Sequence, residues 1–281
     1  MHHGIEIHQV GGPEMLQWHE RAEEELKDTE VRIRHRAIGV NYIDVYHRTG
    51  YYPVALPFVP GVEGAGEVLD VGASVADFKR GDRVAYAGVI GSYQEIRCIA
   101  ADRLLKIPDA IGDDVAAAMM LQGVTAQVLL TQVYRVKAGE TILVHAAAGG
   151  TGLILCQWAA SLGATVIGTV SSAEKAEVAR RNGCAHVFIH GQDDWVQRVA
   201  DITGGAKLPV VYDSIGRDTF APSLDCLAPR GLMVSFGQAS GAVPPFDLTL
   251  LARKGSLYLT RPTVFTYYPA PGARRRLRRP G

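Results

Sequence analysis

Cysteine is scarce: Cys98, Cys156, Cys184 and Cys226 are the only four in 281 residues, and none forms a Cys-x-x-Cys pair. That spacing excludes a disulfide scaffold and a zinc ribbon, and it points to a reducing, cytoplasmic home. No uninterrupted apolar run reaches membrane length; the stretch around Ala116 to Leu130 is cut by Gln122 and Gly123. The N-terminus lacks the basic, apolar and small-residue segments of a signal peptide. An excess of one charge is missing too, with 29 Lys+Arg against 29 Asp+Glu. The balance conceals a bias, because Arg274, Arg275, Arg276, Arg278 and Arg279 crowd the last eight residues. Without those five, 24 basic residues face 29 acidic ones, a net of −5. The body of the chain therefore has no general attraction for nucleic acid. What is present is a globular composition, 47% hydrophobic and 21% charged, which excludes disorder, collagen and coiled coil.

The two halves follow different patterns. From Ile5 to about Pro108 the chain is rich in short β signals. Val31 to Ala37 alternates apolar with polar, the period of a half-buried strand. Val62 to Val71 and Arg83 to Tyr86 read as further strands, punctuated by Gly61, Gly64, Gly66, Gly72 and Gly81-Asp82. Short strands between turns predict a compact, partly open β-barrel, with no long helix before Asp113. After Lys137 strand and helix alternate. Apolar strands are expected at 141–146, 164–170, 186–189, 209–213, 232–236 and 256–260, with helices at 152–162, 173–182, 193–202 and 219–227. Six such strands imply an α/β fold with a doubly wound parallel sheet.

The first strand-to-helix turn reads His145-Ala146-Ala147-Ala148-Gly149-Gly150-Thr151-Gly152. Ala147, Gly149 and Gly152 take the three small-residue positions of a dinucleotide fingerprint, here A-x-G-x-x-G. Gly149 is expected to supply unusual backbone angles and close approach to a pyrophosphate, and Gly152 close helix–strand packing. The helix N-terminus adds unpaired amide donors. Cofactor choice is read at the end of the second strand, in Val170-Ser171-Ser172-Ala173-Glu174-Lys175. Ser171, Ser172 and Lys175 suit a 2′-phosphate, which favours NADP. Glu174 could instead serve a ribose hydroxyl, as in NAD enzymes. Ser172 could equally be an N-cap and Lys175 a solvated charge.

Ile38 to Gly50, the segment Pro60-Gly61-Val62-Glu63-Gly64-Ala65-Gly66-Glu67-Val68, and Gly81-Asp82-Arg83-Val84 resemble the medium-chain dehydrogenase/reductase superfamily. With His145 to Gly150, Tyr212 to Gly216 and Ser235-Phe236-Gly237, the resemblance narrows to its zinc-free quinone oxidoreductases, the zeta-crystallin branch. It extends from about Ile5 to Pro262. It implies a GroES-like substrate domain over residues 1–121, a Rossmann NADP-binding domain over 122–264, and an irregular basic tail over 265–281. The zinc alcohol dehydrogenases of the superfamily hold their metal with a cysteine and the histidine of a Gly-His-Glu step. Here Asp44 lies near the former position and the step reads Gly61-Val62-Glu63, so no zinc is expected. Without a Lewis acid the acceptor must take a hydride easily, as a conjugated carbonyl does.

The resemblance also implies site residues. Tyr42, Ile43, Asp44, Val45, Tyr46 and Val128 would border the nicotinamide. Gly149, Gly150, Thr151 and Gly152 would meet the pyrophosphate, and Ser171, Ser172 and Lys175 the adenosine 2′-phosphate. Ile215, Gly237, Gln238, Ala239, Ser240, Pro262, Thr263 and Val264 would close the remaining side. His190 stands where many relatives carry a tyrosine beside the ribose. Asn41, Tyr46 and Tyr52 would shape the acceptor slot and donate to developing oxyanion character; ordinary aromatic packing is the other reading of Tyr46 and Tyr52. Cys156 reads as a small buried hydrophobe.

The implied activity is NADPH-dependent quinone reduction, by hydride or by separate electron and proton steps. Enone or enoyl reduction is the alternative, and a non-catalytic or RNA-binding role, with phosphate contacts from the arginine tail, ranks below both. A homodimer pairing the strand at 256–260 is expected, and no membrane partner. The resemblance fades after Phe265, where relatives continue, and the arginine-, proline- and glycine-rich end is what a frameshift in GC-rich coding sequence would produce. A natural short variant is the alternative. A shifted end would leave faces of the substrate domain uncovered and lower both stability and turnover.

Overall fold

The computed structural model describes residues 1–267. The chain divides into two compact units, one spanning Met1–Leu121 and a second beginning at Gln122. The arginine tail, with its proposed frameshift, lies outside the described residues.

In the first unit β1 (His2–Glu6) and β2 (Gln17–Arg21) form an antiparallel hairpin. A five-stranded antiparallel sheet follows, built from β3 (Glu30–Ile38), β4 (Glu63–Val71), β5 (Arg83–Ala87), β6 (Ile96–Ala100) and β7 (Leu105–Lys106), in the order β6-β3-β4-β5-β7. The helix α1 (Tyr42–Arg48) leaves the end of β3. The alternation in β3 behaves as its period requires: Val31 and Ile33 point into a core with Val68, Val84, Tyr86, Ile99 and Leu104. The sheet is not closed: β6 and β7 are its edges. Gly64 and Gly66 are not turn residues, contrary to their appearance in sequence. Both lie inside β4, where a Cβ at Gly66 would strike the Arg34 carbonyl and one at Gly64 would come within 2.9 Å of the His35 ring. Crowding by β3, its backbone at Gly66 and a side chain at Gly64, explains them.

The helix α2 (Asp113–Val128) runs on as a π-helical turn through Leu129–Val133. Gln122 and Gly123, which interrupt the apolar run in sequence, do not interrupt the helix. By length and composition Asp113–Val133 is the one helix among the described residues that could cross a membrane. Part of it packs inside the protein: Ala116 and Ala117 join a core of the first unit, while Ala126, Leu129 and Leu130 join one of the second.

The second unit contains β8 (Thr141–His145), α3 (Gly150–Ser161), β9 (Thr165–Val170), α4 (Ala173–Arg181), β10 (Cys184–Ile189), α5 (Trp195–Ile202), β11 (Leu208–Asp213), α6 (Phe220–Cys226) and β12 (Leu227–Ser235). It ends in α7 (Thr249–Arg253), β13 (Tyr258–Thr260) and α8 (Val264–Tyr267). Neither α7 nor α8 was expected, and α8 carries regular structure to Tyr267, past the anticipated start of an irregular tail at 265. The six strands are parallel and ordered β10-β9-β8-β11-β12-β13. That order reverses between β8 and β11, the switch point at which such sheets bind nucleotides.

Both faces are covered, as continuous apolar strands demand. Ile142 and Val144 pack with Leu155, Ala159, Ala176 and Ala179 of α3 and α4. Leu143, pointing the other way, packs with Val199, Phe220 and Leu224 of α5 and α6. Each such buried Val, Leu, Ile or Phe side chain contributes roughly 2 kcal/mol. The four cysteines are all free and buried. Folding brings two of them together, with Cys156 Sγ and Cys184 Sγ 3.3 Å apart.

Candidate functional site

The turn after β8 corrects one expectation. Gly149 is not left-handed: it caps α3 with φ −77° and ψ 165°. The left-handed residue is Ala146, with φ +52°. Gly149 N–H closes the turn onto the Ala146 carbonyl at 2.8 Å, so the unusual angles fall three residues earlier than a glycine pattern suggests. The glycines answer to crowding instead. A Cβ at Gly149 would lie 3.2 Å from the Ala146 oxygen, and one at Gly152 would strike that carbonyl outright. Ala147 is fully buried, and a Cβ at Gly168 would come within 2.7 Å of its methyl group. Leu153 N–H bonds back to the Gly149 carbonyl at 2.8 Å. The N–H groups of Gly150, Thr151 and Gly152 therefore point out of the helix end, where the helix dipole favours an anion.

At the end of β9, Ser171, Ser172 and Lys175 come together. Lys175 Nζ donates to Ser171 Oγ at 3.0 Å, and Lys175 N–H donates to the N-cap Ser172 Oγ at 3.3 Å. Glu174 stands beside them, its pKa lowered first by a hydrogen bond with Ser172. His190 N–H bonds the Val170 carbonyl at 2.9 Å, and its ring stacks on His145 at 5.8 Å. Burial pushes the His190 pKa down, and its Nε2 is buried without a hydrogen-bond partner. His145 is enclosed between Thr169 Oγ1 (2.7 Å) and Ser223 Oγ (2.8 Å), with its pKa lowered to about 3 by burial.

Two loops at the ends of β11 and β12 brace each other. Ala239 N–H bonds the Ser214 carbonyl (3.0 Å) and Ser240 N–H the Ile215 carbonyl (2.9 Å). Gly237 has no room for a side chain, since a Cβ would lie 2.7 Å from the Ser214 oxygen. Asp213 organises the first loop, accepting from Ile215 N–H (2.7 Å), Gly216 N–H (3.1 Å) and Thr219 Oγ1 (2.9 Å). Arg261, just before Pro262, Thr263 and Val264, staples the second: its Nη1 donates to the Gly237 carbonyl at 2.8 Å. Arg261 was missed in the sequence because its partner Gly237 lies 24 residues away, and Asp213 because an aspartate at a strand end carries no mark of the turn it will hold. Val128 is only 2% exposed, so its side chain is mostly core.

In the first unit the residues at 41–46 form the start of α1. Asn41 is the N-cap, and its backbone N–H donates to Asp44 Oδ2 at 2.9 Å, one half of a capping box. Tyr93 OH donates to the same oxygen at 2.8 Å, while Asp44 Oδ1 is buried with no partner. The Asn41 amide donates to Glu63 Oε1 at 2.6 Å. Burial raises the pKa of both Asp44 and Glu63, against hydrogen bonds that lower it. Tyr46 sits at the centre of an aromatic cluster, 5.2 Å from Tyr42, 5.4 Å from Tyr51 and 5.1 Å from Tyr52. Tyr93 also lines an apolar groove with Trp18, Ile38 and Val40. Asp44 and Glu63, near the positions that carry metal ligands in zinc relatives, are tied to donors of this unit. No group of three His, Cys, Asp or Glu side chains arranged to hold a metal occurs among the described residues.

Comparison with known proteins agrees with this geometry. An alcohol dehydrogenase GroES-like domain matches residues 27–109, and a zinc-binding dehydrogenase domain matches residues 150–266. The chain is 52% identical to a quinone oxidoreductase of Pseudomonas aeruginosa over 269 residues, covering 95% of this chain and 83% of that one. It is 46% identical to a 2-haloacrylate reductase of Burkholderia, covering 93% of this chain and 81% of the other. The crystal structure of Escherichia coli quinone oxidoreductase complexed with NADPH superposes with a TM-score of 0.92 at 49% identity, over 94% of this chain and 82% of that one. With both units matched along most of their length, the chain belongs to the zinc-free quinone oxidoreductases of the medium-chain dehydrogenase/reductase superfamily.

Proposed function

We propose that this protein is an NADPH:quinone oxidoreductase that works without zinc. The observation that carries the proposal is identity of about half, through both units, to proteins named quinone oxidoreductase, one of them solved with NADPH. The chain's own residues fit the cofactor. The second unit offers outward N–H groups at Gly150 to Gly152 for the pyrophosphate, and Ser171, Ser172 and Lys175 for a 2′-phosphate. Ile215, Gly237 to Ser240 and Pro262 to Val264 line its strand ends, and His190 stands by the ribose position. When bound, NADPH supplies the hydride. The first unit offers Tyr42 to Tyr46 as a wall for the nicotinamide, with Asn41, Tyr46 and Tyr52 as donors and walls for the acceptor.

We assign residues 1–121 to the substrate domain and 122–264 to the NADP domain. Glu63 with both oxygens hydrogen-bonded, and Asp44 with Oδ2 held by Asn41 N–H and Tyr93 OH, support an acceptor reactive enough to need no Lewis acid, a conjugated carbonyl. The haloacrylate relative keeps reduction of a conjugated carbon–carbon bond as a second reading, with the quinone favoured by the more similar relatives. A cytoplasmic homodimer completes the proposal. Free, buried cysteines support the compartment. The edge strand β13 supports the dimer, with Tyr258 61% exposed. NADPH oxidation followed by absorbance, with a benzoquinone and with an acyclic enone, tests the activity. Quinone-dependent oxidation is the expected result; oxidation with the enone alone transfers the assignment to the second reading. Sedimentation of the wild type beside a Tyr258→Asp variant tests the dimer.

A further inference from the structure

Glu63 has no part in the function proposed above, yet its position is chemically expensive. It opens β4, is 0% exposed, and has the Asp44 carboxylate as a repelling neighbour. A buried carboxylate is tolerated only where donors replace water. Two do. Oε1 accepts from Asn41 Nδ2 at 2.6 Å, and Oε2 accepts from Leu121 N–H in α2 at 2.7 Å. The backbone has made room for this arrangement: a Cβ at Gly39 would lie 2.5 Å from both Glu63 Cγ and the Ala117 carbonyl. Of side chains this length, only a carboxylate can accept from both donors. A glutamine turned either way would set its own NH2 group against Asn41 Nδ2 or against Leu121 N–H.

The two ends of an asparagine side chain are nearly the same size and chemically opposite, one a donor and one an acceptor. Packing alone does not decide which way such an amide faces; a hydrogen-bond partner does. Two partners share that task here: Asp44 N–H meets the Asn41 side chain in the capping box and Glu63 takes its NH2 end, and Asn41 is also the N-cap of the helix that carries Tyr42 to Tyr46. We propose that Glu63 is a positioning residue for the reductase reaction: its carboxylate clamps the Asn41 amide in one orientation and thereby sets the polarity of the wall that α1 presents to nicotinamide and acceptor. The proposal rests on the quinone reductase reading and on Asn41 facing the reacting groups. Glu63 touches neither substrate nor cofactor; it acts through Asn41.

The test is a double-mutant cycle on the full chain, with Glu63→Gln, Asn41→Ala and the double variant. Turnover with NADPH and a benzoquinone is read beside the melting temperature and NADPH affinity. Glu63→Gln should lower kcat about tenfold, the loss of one well-formed hydrogen bond, while NADPH affinity stays within about twofold. In the Asn41→Ala background the same substitution should cost nothing further in kcat. An equal kcat loss on both backgrounds, or a lowered melting temperature with unchanged kcat, overturns the proposal. A second readout covers a Glu63→Gln chain that fails to fold. In the wild type labelled at asparagine, one Asn41 side-chain amide proton should resonate far downfield and exchange slowly; a freely rotating amide overturns the clamp. A wild type with no quinone turnover overturns the proposed function and the positioning role of Glu63 with it. Ordinary turnover with a rotating Asn41 amide removes only the clamp.

Discussion

The two units treat buried polar groups differently. In the second, Asp213 accepts from two backbone N–H groups and a hydroxyl, and His145 is held between two hydroxyls. The one buried side-chain atom there without a partner, among the described residues, is His190 Nε2. In the first unit Asp44 Oδ1, His47 Nδ1 and Arg97 Nε are among several such atoms. An unmatched buried polar atom costs about 1–3 kcal/mol, so it is kept only where something else uses it. The anion site proposed for the second unit is largely backbone, which any sequence of the right shape provides. The wall proposed for the first is made of side chains, and there chemistry can vary without changing the fold.

That contrast can be broken most severely at Gly152. If backbone shape makes the anion site, Gly152→Val should push α3 off the Ala146 carbonyl, destabilise the protein by about 3 kcal/mol and abolish NADPH binding. Thermal melts and cofactor titration check it, and retained binding would refute a backbone-built site. Lys175 is the exception in the second unit, an exposed side chain beside Ser171 in the proposed 2′-phosphate corner. Lys175→Ala should weaken NADPH by about tenfold or more and leave NADH nearly unchanged; equal losses would remove the 2′-phosphate assignment.

Acid probes both units at once. Burial lowers His35 to about 4 and His145 to about 3, whereas in the unfolded chain both titrate near 6.5. The unfolded state therefore binds more protons, and stability falls with pH from about 6.5 down to about 4 for His35 and about 3 for His145. The slope is at most about 1.4 kcal/mol per pH unit for each. Subtracting the pH dependence of His145→Gln from that of the wild type isolates one of them, because the buried acids cancel in the difference. A pH-independent difference would contradict the burial of a neutral imidazole. The smallest effect belongs to Arg261→Gln, which frees the Gly237 carbonyl from its staple. It should cost about 1 kcal/mol and loosen NADPH only slightly, as measured by denaturant titration and cofactor binding.

Local pattern made much of this legible. The period of two in β3, the strand–helix alternation after Lys137 and the small residues at 147, 149 and 152 all respond to constraints a few residues long. The failures have a different origin. Gly64 and Gly66 look like turn glycines, but their reason is the neighbouring strand β3, about thirty residues away. Ala146 bears the left-handed angle because the chain must double back under α3, and alanine carries no sequence mark of that strain. Asn41 with Glu63, Arg261 with Gly237 and Cys156 with Cys184 are pairs made by the fold. Each partner alone is an ordinary residue.

The helix that runs from Asp113 through the π turn has a thermodynamic consequence. Its first half supplies Ala116 and Ala117 to one core and its second half, with the turn, supplies Ala126, Leu129 and Leu130 to another. Helices melt cooperatively, because a broken interior costs a new nucleation. Loss of either core therefore strips side-chain support from a helix the other core still needs. Chains of two units commonly melt in two steps; here calorimetry should record a single transition, and a cut anywhere within 113–133 should lower the stability of both fragments.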